Sequence, residues 1–103
     1  MPKYLKSSKI FMAFCDDTRL KVLELLQSGE KCARVLLEQV SVGQSTLSHH
    51  MRVLVESGVV AARKEGKWTY YSICESGRQH AIELMNRLTV LTASEIAKAN
   101  VRV

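Results

Sequence analysis

The chain has 103 residues, enough for one domain around one hydrophobic core, which excludes a multidomain enzyme carrying its own cofactor-binding half. Hydrophobic residues make up 47% and charged residues 24%, with one Pro and five Gly, so collagenous and Pro/Gly-rich disordered chains are excluded as well. Fifteen Lys and Arg against ten Asp and Glu leave a formal charge of +5, which attracts polyanions and puts nucleic acid first among partners, with a merely soluble basic protein as the plain alternative.

No apolar run approaches the roughly 18 to 20 residues that cross a bilayer. Lys3, Lys6 and Lys9 are not followed by the apolar segment and cleavage site of a signal peptide. A cytoplasmic location without a membrane partner is therefore expected. Three cysteines are an odd number, and in a reducing compartment they serve as free thiols, buried fillers or ligands rather than as a disulfide framework.

In chain order, Ile10, Phe11 and Phe14 at three-to-four spacing predict a short amphipathic helix from about Leu5 to Phe14. Asp16, Asp17 or Thr18 can cap a second helix, along which Leu20, Leu23 and Leu26 recur before Gly29 closes it. A third helix is expected from Lys31 to Gln39, with Ala33, Leu36, Leu37 and Val40 on one face and Arg34, Glu38 and Gln39 on the other. Ser41-Val42-Gly43 then forms a tight turn, and a fourth helix runs from about Gln44 to Ser57 before Gly58. Beyond Gly58 the pattern becomes extended. Val59 to Ala62 and Trp68 to Ile73 predict a β-hairpin with Arg63-Lys64-Glu65-Gly66-Lys67 at its tip. The remainder, from about Glu75 to Asn100, places Ala81, Met85, Leu88, Thr92 and Ile96 on one stripe of a long apolar helix. A two-stranded hairpin cannot cover this stripe and that of the first helix, so the terminal helices are expected to pack against a second copy.

Helices with a tight turn before the last, followed by a charged hairpin, follow the order of a winged helix-turn-helix. The fold expected is mainly α with a small β-hairpin: a single domain over 1–103, dimeric through its terminal helices. Leu47, Met51, Leu54 and Val55 look inward, which leaves Gln44, Ser45, Thr46, Ser48, His49 and Arg52 to reach base edges and phosphates of double-stranded DNA. A plain solvated helix surface is the competing account. His50 borders the inward face and reads as a satisfied, half-buried histidine. Arg63, Lys64 and Lys67 suit phosphate or the adjoining minor groove, against the alternative of an ordinary solvated turn. Trp68, Tyr70 and Tyr71 read as packing residues that anchor the wing rather than as a platform for single-stranded bases.

The segments Phe11–Leu20, Gln44–Met51 and Arg63–Tyr71 together resemble the ArsR/SmtB family of metal-responsive winged-helix repressors, in order and over nearly the whole chain. The resemblance implies a homodimer that occupies an operator and leaves it when an inducer binds. In arsenic-sensing members the third helix begins with a Cys-x-Cys pair, which here corresponds to Cys32-Ala33-Arg34 and lacks the second thiol. Arsenite, antimonite and other soft metal ions favour thiolate ligands, so Cys32 is the candidate ligand, with Cys15 as its helper; Cys74 is a further candidate, and Cys15 and Cys74 also read as small buried hydrophobes. The family's other metal site is matched only by the half His80-Ala81-Ile82-Glu83, with Lys67 and Thr69 where its partner pair should stand, so a zinc site of that type is not expected.

The function expected is sequence-specific transcriptional repression relieved by arsenite, antimonite or another thiophilic metal, with no required cofactor. The alternative input is a thiol redox or persulfide signal through the same cysteines. A protein-interaction module with no DNA target is a third reading, suggested by the apolar terminal helix. No Gly-rich phosphate loop, paired carboxylates or Cys/Ser nucleophile with a well-placed His and acid points to an enzyme.

Overall fold

The computed structural model describes residues 3–101. Helix α1 spans Leu5–Met12 and buries Ile10, and Ala13 just beyond it is fully enclosed. Helix α2 spans Asp17–Leu26 and starts where the Asp16 carboxylate accepts hydrogen bonds from the backbone N–H groups of Thr18, at 2.8 Å, and Arg19, at 3.2 Å. Asp16 therefore takes the cap among the candidates offered by the sequence, satisfying two otherwise unpaired donors of the first turn. Its buried stripe is Arg19, Val22 and Leu26, whereas Leu20 is exposed.

The expected third helix starts later than its apolar spacing suggested. Lys31–Cys32 forms a short strand, β1, and helix α3 occupies only Ala33–Gln39, with Leu36 at its buried centre. The turn at Ser41-Val42-Gly43 leads into α4, Gln44–Glu56, whose Leu47, His50, Met51 and Leu54 point inward while Val55 is half-buried. Ser57 ends α4: its hydroxyl donates to the Leu54 carbonyl at 2.6 Å and accepts from the Val59 N–H at 3.1 Å.

Strands β2, Val60–Glu65, and β3, Trp68–Ile73, pair antiparallel from Val60 with Ile73 to Glu65 with Trp68. Only Gly66 and Lys67 connect them. Gly66 has φ of +62°, and among the described residues only glycines take a positive φ, the arrangement of a tight hairpin with glycine first in the turn. Arg63 and Lys64 thus belong to β2 rather than to the tip. The sheet has a third strand that the alternation did not announce, because two residues are too few to show a period: β1 pairs with β3 through Lys31 with Tyr71 and Cys32 with Tyr70, giving the order β1-β3-β2.

The expected single C-terminal helix is two. Helix α5 spans Glu75–Thr89 and α6 spans Ala93–Val101. Val90 leaves the helix with φ of −67° and ψ of 133°, and Thr92 restarts it, its hydroxyl accepting from the Glu95 N–H at 3.4 Å. Thr92 to Glu95 has the spacing of a capping box, and that local signal outweighs an apolar stripe running through it. The core gathers Val22, Leu26, Leu36, Leu47, Met51, Leu54 and Val60 from α2, α3, α4 and β2. Among the described residues no helix is long and apolar enough to cross a membrane.

Candidate nucleic-acid interface

Helix α4 carries the polar face. At 3.6 residues per turn the stripe opposite Leu47, Met51 and Leu54 is Ser45, His49 and Arg52, and all three are exposed. Gln44 and Ser48 are exposed on the flank toward the wing, and Thr46 is exposed on the other flank. Two grooves run between α4 and the wing. Gln44 and Ser48 line one, of about 410 Å³, together with Lys67, Trp68 and Arg34 of α3. Ser48 and Arg52 line the other, also about 410 Å³, together with Lys64 and Thr69. The structure thus brings Gln44, Ser48, Arg52, Lys64 and Lys67 together around one surface, with Ser45 and His49 on its crest.

Arg63 stands apart electrostatically. Its guanidinium forks onto Glu30, at 2.7 and 2.8 Å, reaches Glu65 at 2.8 Å and stacks 4.6 Å from the Tyr70 ring centroid. Hydrogen bonds from Arg63 hold the Glu30 carboxyl below its ordinary range, and the two carboxylates raise the Arg63 pKa in return. Arg63 therefore ties the loop before β1 to β2 and spends its charge on protein carboxylates rather than on solvent.

The inner side of α4 is fixed by a polar relay. Arg19 and His50 are 8% and 9% exposed, so both polar groups need partners. Arg19 donates through Nε to the Met12 carbonyl and through a terminal nitrogen to His50 Nδ1, each at 2.8 Å. A guanidinium is always a donor, so Nδ1 is the accepting nitrogen and the imidazole proton sits on Nε2, which faces the Asp16 carboxylate at 3.7 Å. Partial desolvation works against the Asp16 charge, but the N–H groups of Arg19 and Thr18 and the neighbouring positive charge hold the carboxyl below its ordinary value. The cap of α2, the end of α1 and the back of α4 are thereby one hydrogen-bonded unit.

The cysteines lie in different settings. Cys15 is exposed between α1 and α2, Cys32 is half-buried in β1 at the entry to α3, and Cys74 is half-buried at the start of α5. The Ser76 hydroxyl and the Gly77 N–H hold the Cys74 thiol below its usual pKa. Among the described residues no three His, Cys, Asp or Glu side chains are grouped as a metal ion would need, and His80 and Glu83 are both exposed on α5.

Arg34 and Glu30 were not singled out by sequence reasoning. Their partners, Trp68 and Arg63, are more than 30 residues away, and no local period reports a contact across that separation.

Residues 16–62, from the α2 cap into β2, match the family described as bacterial regulatory protein, arsR family. The chain is 40% identical over 89 residues to the uncharacterized HTH-type transcriptional regulator MJ1325 of Methanocaldococcus jannaschii, covering 85% of this chain and all of that protein. It is 38% identical over 93 residues to an arsenical resistance operon repressor of Staphylococcus aureus, covering 88% of this chain and 85% of the relative. In three dimensions it is similar to HlyU of Vibrio cholerae, with a TM-score of 0.65 at 29% identity, covering 88% of this chain and 100% of the other. With an exposed polar helix set beside a basic wing, and with these relatives, the chain belongs to the arsR family of DNA-binding transcriptional repressors.

Proposed function

We propose that the chain represses transcription as a cytoplasmic homodimer whose two α4 helices enter successive major grooves of a near-palindromic operator. The observation that carries this reading is the surface on which Gln44, Ser48 and Arg52 share two grooves with Lys64 and Lys67. Side-chain amides, hydroxyls and guanidinium groups can read base edges there, while the lysines sit at phosphate. Ser45, Thr46 and His49 complete the reading face, and Arg63 acts mainly as a brace within the wing.

Dimerisation is supported by apolar surface on the terminal helices. Met12, Phe14, Ile82, Met85 and Leu88 are each 43 to 52% exposed. An apolar cavity of about 450 Å³ opens between α1, α2 and α5, lined by Ile10, Phe11, Phe14, Leu23, Ile82 and Met85 among others. Surface of this kind on a small domain is covered in the working assembly. Sedimentation tests it: a lone protomer at micromolar concentration overturns the dimer.

The inducer acts at cysteine thiols. In the first version arsenite, antimonite or another soft metal ion is bound by Cys32 with Cys15, as the name of the Staphylococcus aureus relative suggests. Among the described residues no three candidate ligands are grouped, so assembling such a site calls on movement or on the second copy. In the second version an oxidant or persulfide modifies the thiols, a reading favoured by three free cysteines and by the lowered pKa of Cys74. Either event would favour a dimer geometry that no longer fits the groove spacing, with a coupling of about 1 to 3 kcal/mol.

The test is release of a duplex selected from a random pool by the purified protein. Arsenite, antimonite, cadmium, lead, zinc and peroxide are compared, with and without Cys32→Ser. Release by a soft ion that the substitution abolishes supports the first version. Release by peroxide alone, with a reversible disulfide seen by mass spectrometry, supports the second. Equal affinity for all duplexes at physiological salt overturns sequence-specific repression.

A further inference from the structure

At the mouth of the groove between α3, α4 and the wing, two cations share one aromatic ring. The Arg34 guanidinium carbon lies 5.2 Å from the Trp68 ring centroid, and Lys67 Nζ lies 5.5 Å from it. The nearby carboxylates of the wing and its support, Glu30 and Glu65, are both taken by Arg63. Among the described residues neither Arg34 nor Lys67 makes an ion pair. The indole is 40% exposed, so the two charges are held at a surface open to a ligand. Attraction to the ring holds each cation, and Arg34, Lys67 and Trp68 line the same groove, where both positive charges attract an anion.

The same groove is lined by Gln44 and Ser48, which places the cation pair directly beside the reading face. We infer that Arg34 and Lys67 form a clamp for one phosphodiester of the duplex, with Trp68 as the positioning residue that keeps both cations in place. The inference rests on the DNA-binding reading above and adds α3 to the interface. A guanidinium presents two parallel donors that match two phosphate oxygens, and an ammonium supplies a compact second charge. The clamp would also lock the wing to α3 when DNA is bound, since Arg34 and Lys67 come from different elements and meet on one ligand.

The test is fluorescence anisotropy of a short random-sequence duplex with the full chain, read across salt. Each neutralised phosphate contributes about 0.9 to the slope of log affinity against log salt, so losing the whole clamp lowers the affinity loss between about 50 and 200 mM salt by about 3.5-fold for each engaged protomer. Arg34→Ala combined with Lys67→Ala is expected to show that shallower slope and each substitution alone a part of it, and Arg34→Lys, which keeps the charge, to restore what Arg34→Ala loses. A merely structural role for Arg34 would lower affinity by one factor at every salt concentration and leave the slope alone. Binding by Arg34→Ala with an unchanged slope overturns the clamp while leaving the DNA-binding reading intact. Absence of salt-dependent binding by the unsubstituted chain overturns both. Trp68 is the only tryptophan, so its emission reports the groove directly. Saturable quenching by inorganic phosphate without DNA would assign the groove to a free anion and overturn the phosphodiester assignment.

Discussion

Gly77 lies in the first turn of α5, against the backbone where α4 ends. A Cβ placed on it would meet the Gly58 carbonyl oxygen at 1.7 Å, the Gly58 carbonyl carbon at 2.5 Å and the Val59 nitrogen at 3.2 Å. Helix propensity alone favours alanine over glycine by about 1 kcal/mol, so a loosely packed position would be stabilised by Gly77→Ala. Here the opposing atoms are backbone, and no change of rotamer removes them. To restore even a 3.0 Å separation from the oxygen, α5 must withdraw by about 1.3 Å, the difference between 3.0 and 1.7 Å. Overpacking of this kind costs about 1 to 3 kcal/mol and sometimes more, so a value at the upper end leaves a net loss of about 2 kcal/mol after the propensity gain. In a domain of this size that corresponds to a fall in Tm of about 8 to 16 °C. Thermal unfolding followed by circular dichroism measures it. Because α5 would move relative to the end of α4, affinity for the selected duplex should fall by more than the unfolded fraction explains. A Tm equal to or above that of the unsubstituted protein would refute the tight α4–α5 contact.

Arg19→Ala leaves the buried His50 Nδ1 and the Met12 carbonyl without their donor, for an expected loss of about 2 to 4 kcal/mol in urea unfolding, whereas a surface cation such as Lys21 should tolerate alanine within about 0.5 kcal/mol. The Asp16 carboxyl is held below its ordinary value in the folded state, so the unfolded state binds more protons between the two values. Its contribution to stability is complete above about pH 4 and is lost as pH falls through the folded value; Asp16→Asn should flatten that part of the acid-unfolding curve. Lys64→Ala is expected to weaken every duplex alike and reduce the salt slope by about 0.9 for each engaged protomer, while Arg63→Ala, whose charge faces Glu30 and Glu65, should change the slope less and the wing's thermal stability more.

How much of this was legible in the sequence depends on the range over which each feature is decided. A helix from Gln44 to about Ser57, its buried stripe and its polar face follow from 3.6-residue periodicity, which is local, and the structure forms it over Gln44–Glu56 with Ser57 as its cap and Val55 only half-buried. The α2 cap was equally local, since a carboxylate four residues ahead of the Leu20 repeat stands beside the unpaired N–H groups of the first turn. The C-terminal break is also written locally, in Thr92 and Glu95, whose cap interrupts a stripe that by apolar spacing alone reads as one helix. Strand β1 is a different case. Lys31 and Cys32 become a strand because Tyr70 and Tyr71 offer them hydrogen bonds from almost 40 residues away, and two residues carry no period of their own. The charge pattern of the wing fails to read for the same reason: Arg63, Lys64 and Lys67 look alike in sequence. Only the distant Glu30, together with Glu65, turns the first into a brace, and only Arg34 beside Trp68 gives the last a second cation to work with. The surface that touches DNA in our reading is therefore chosen partly by which cations the fold has already neutralised, a property no single segment of the chain contains.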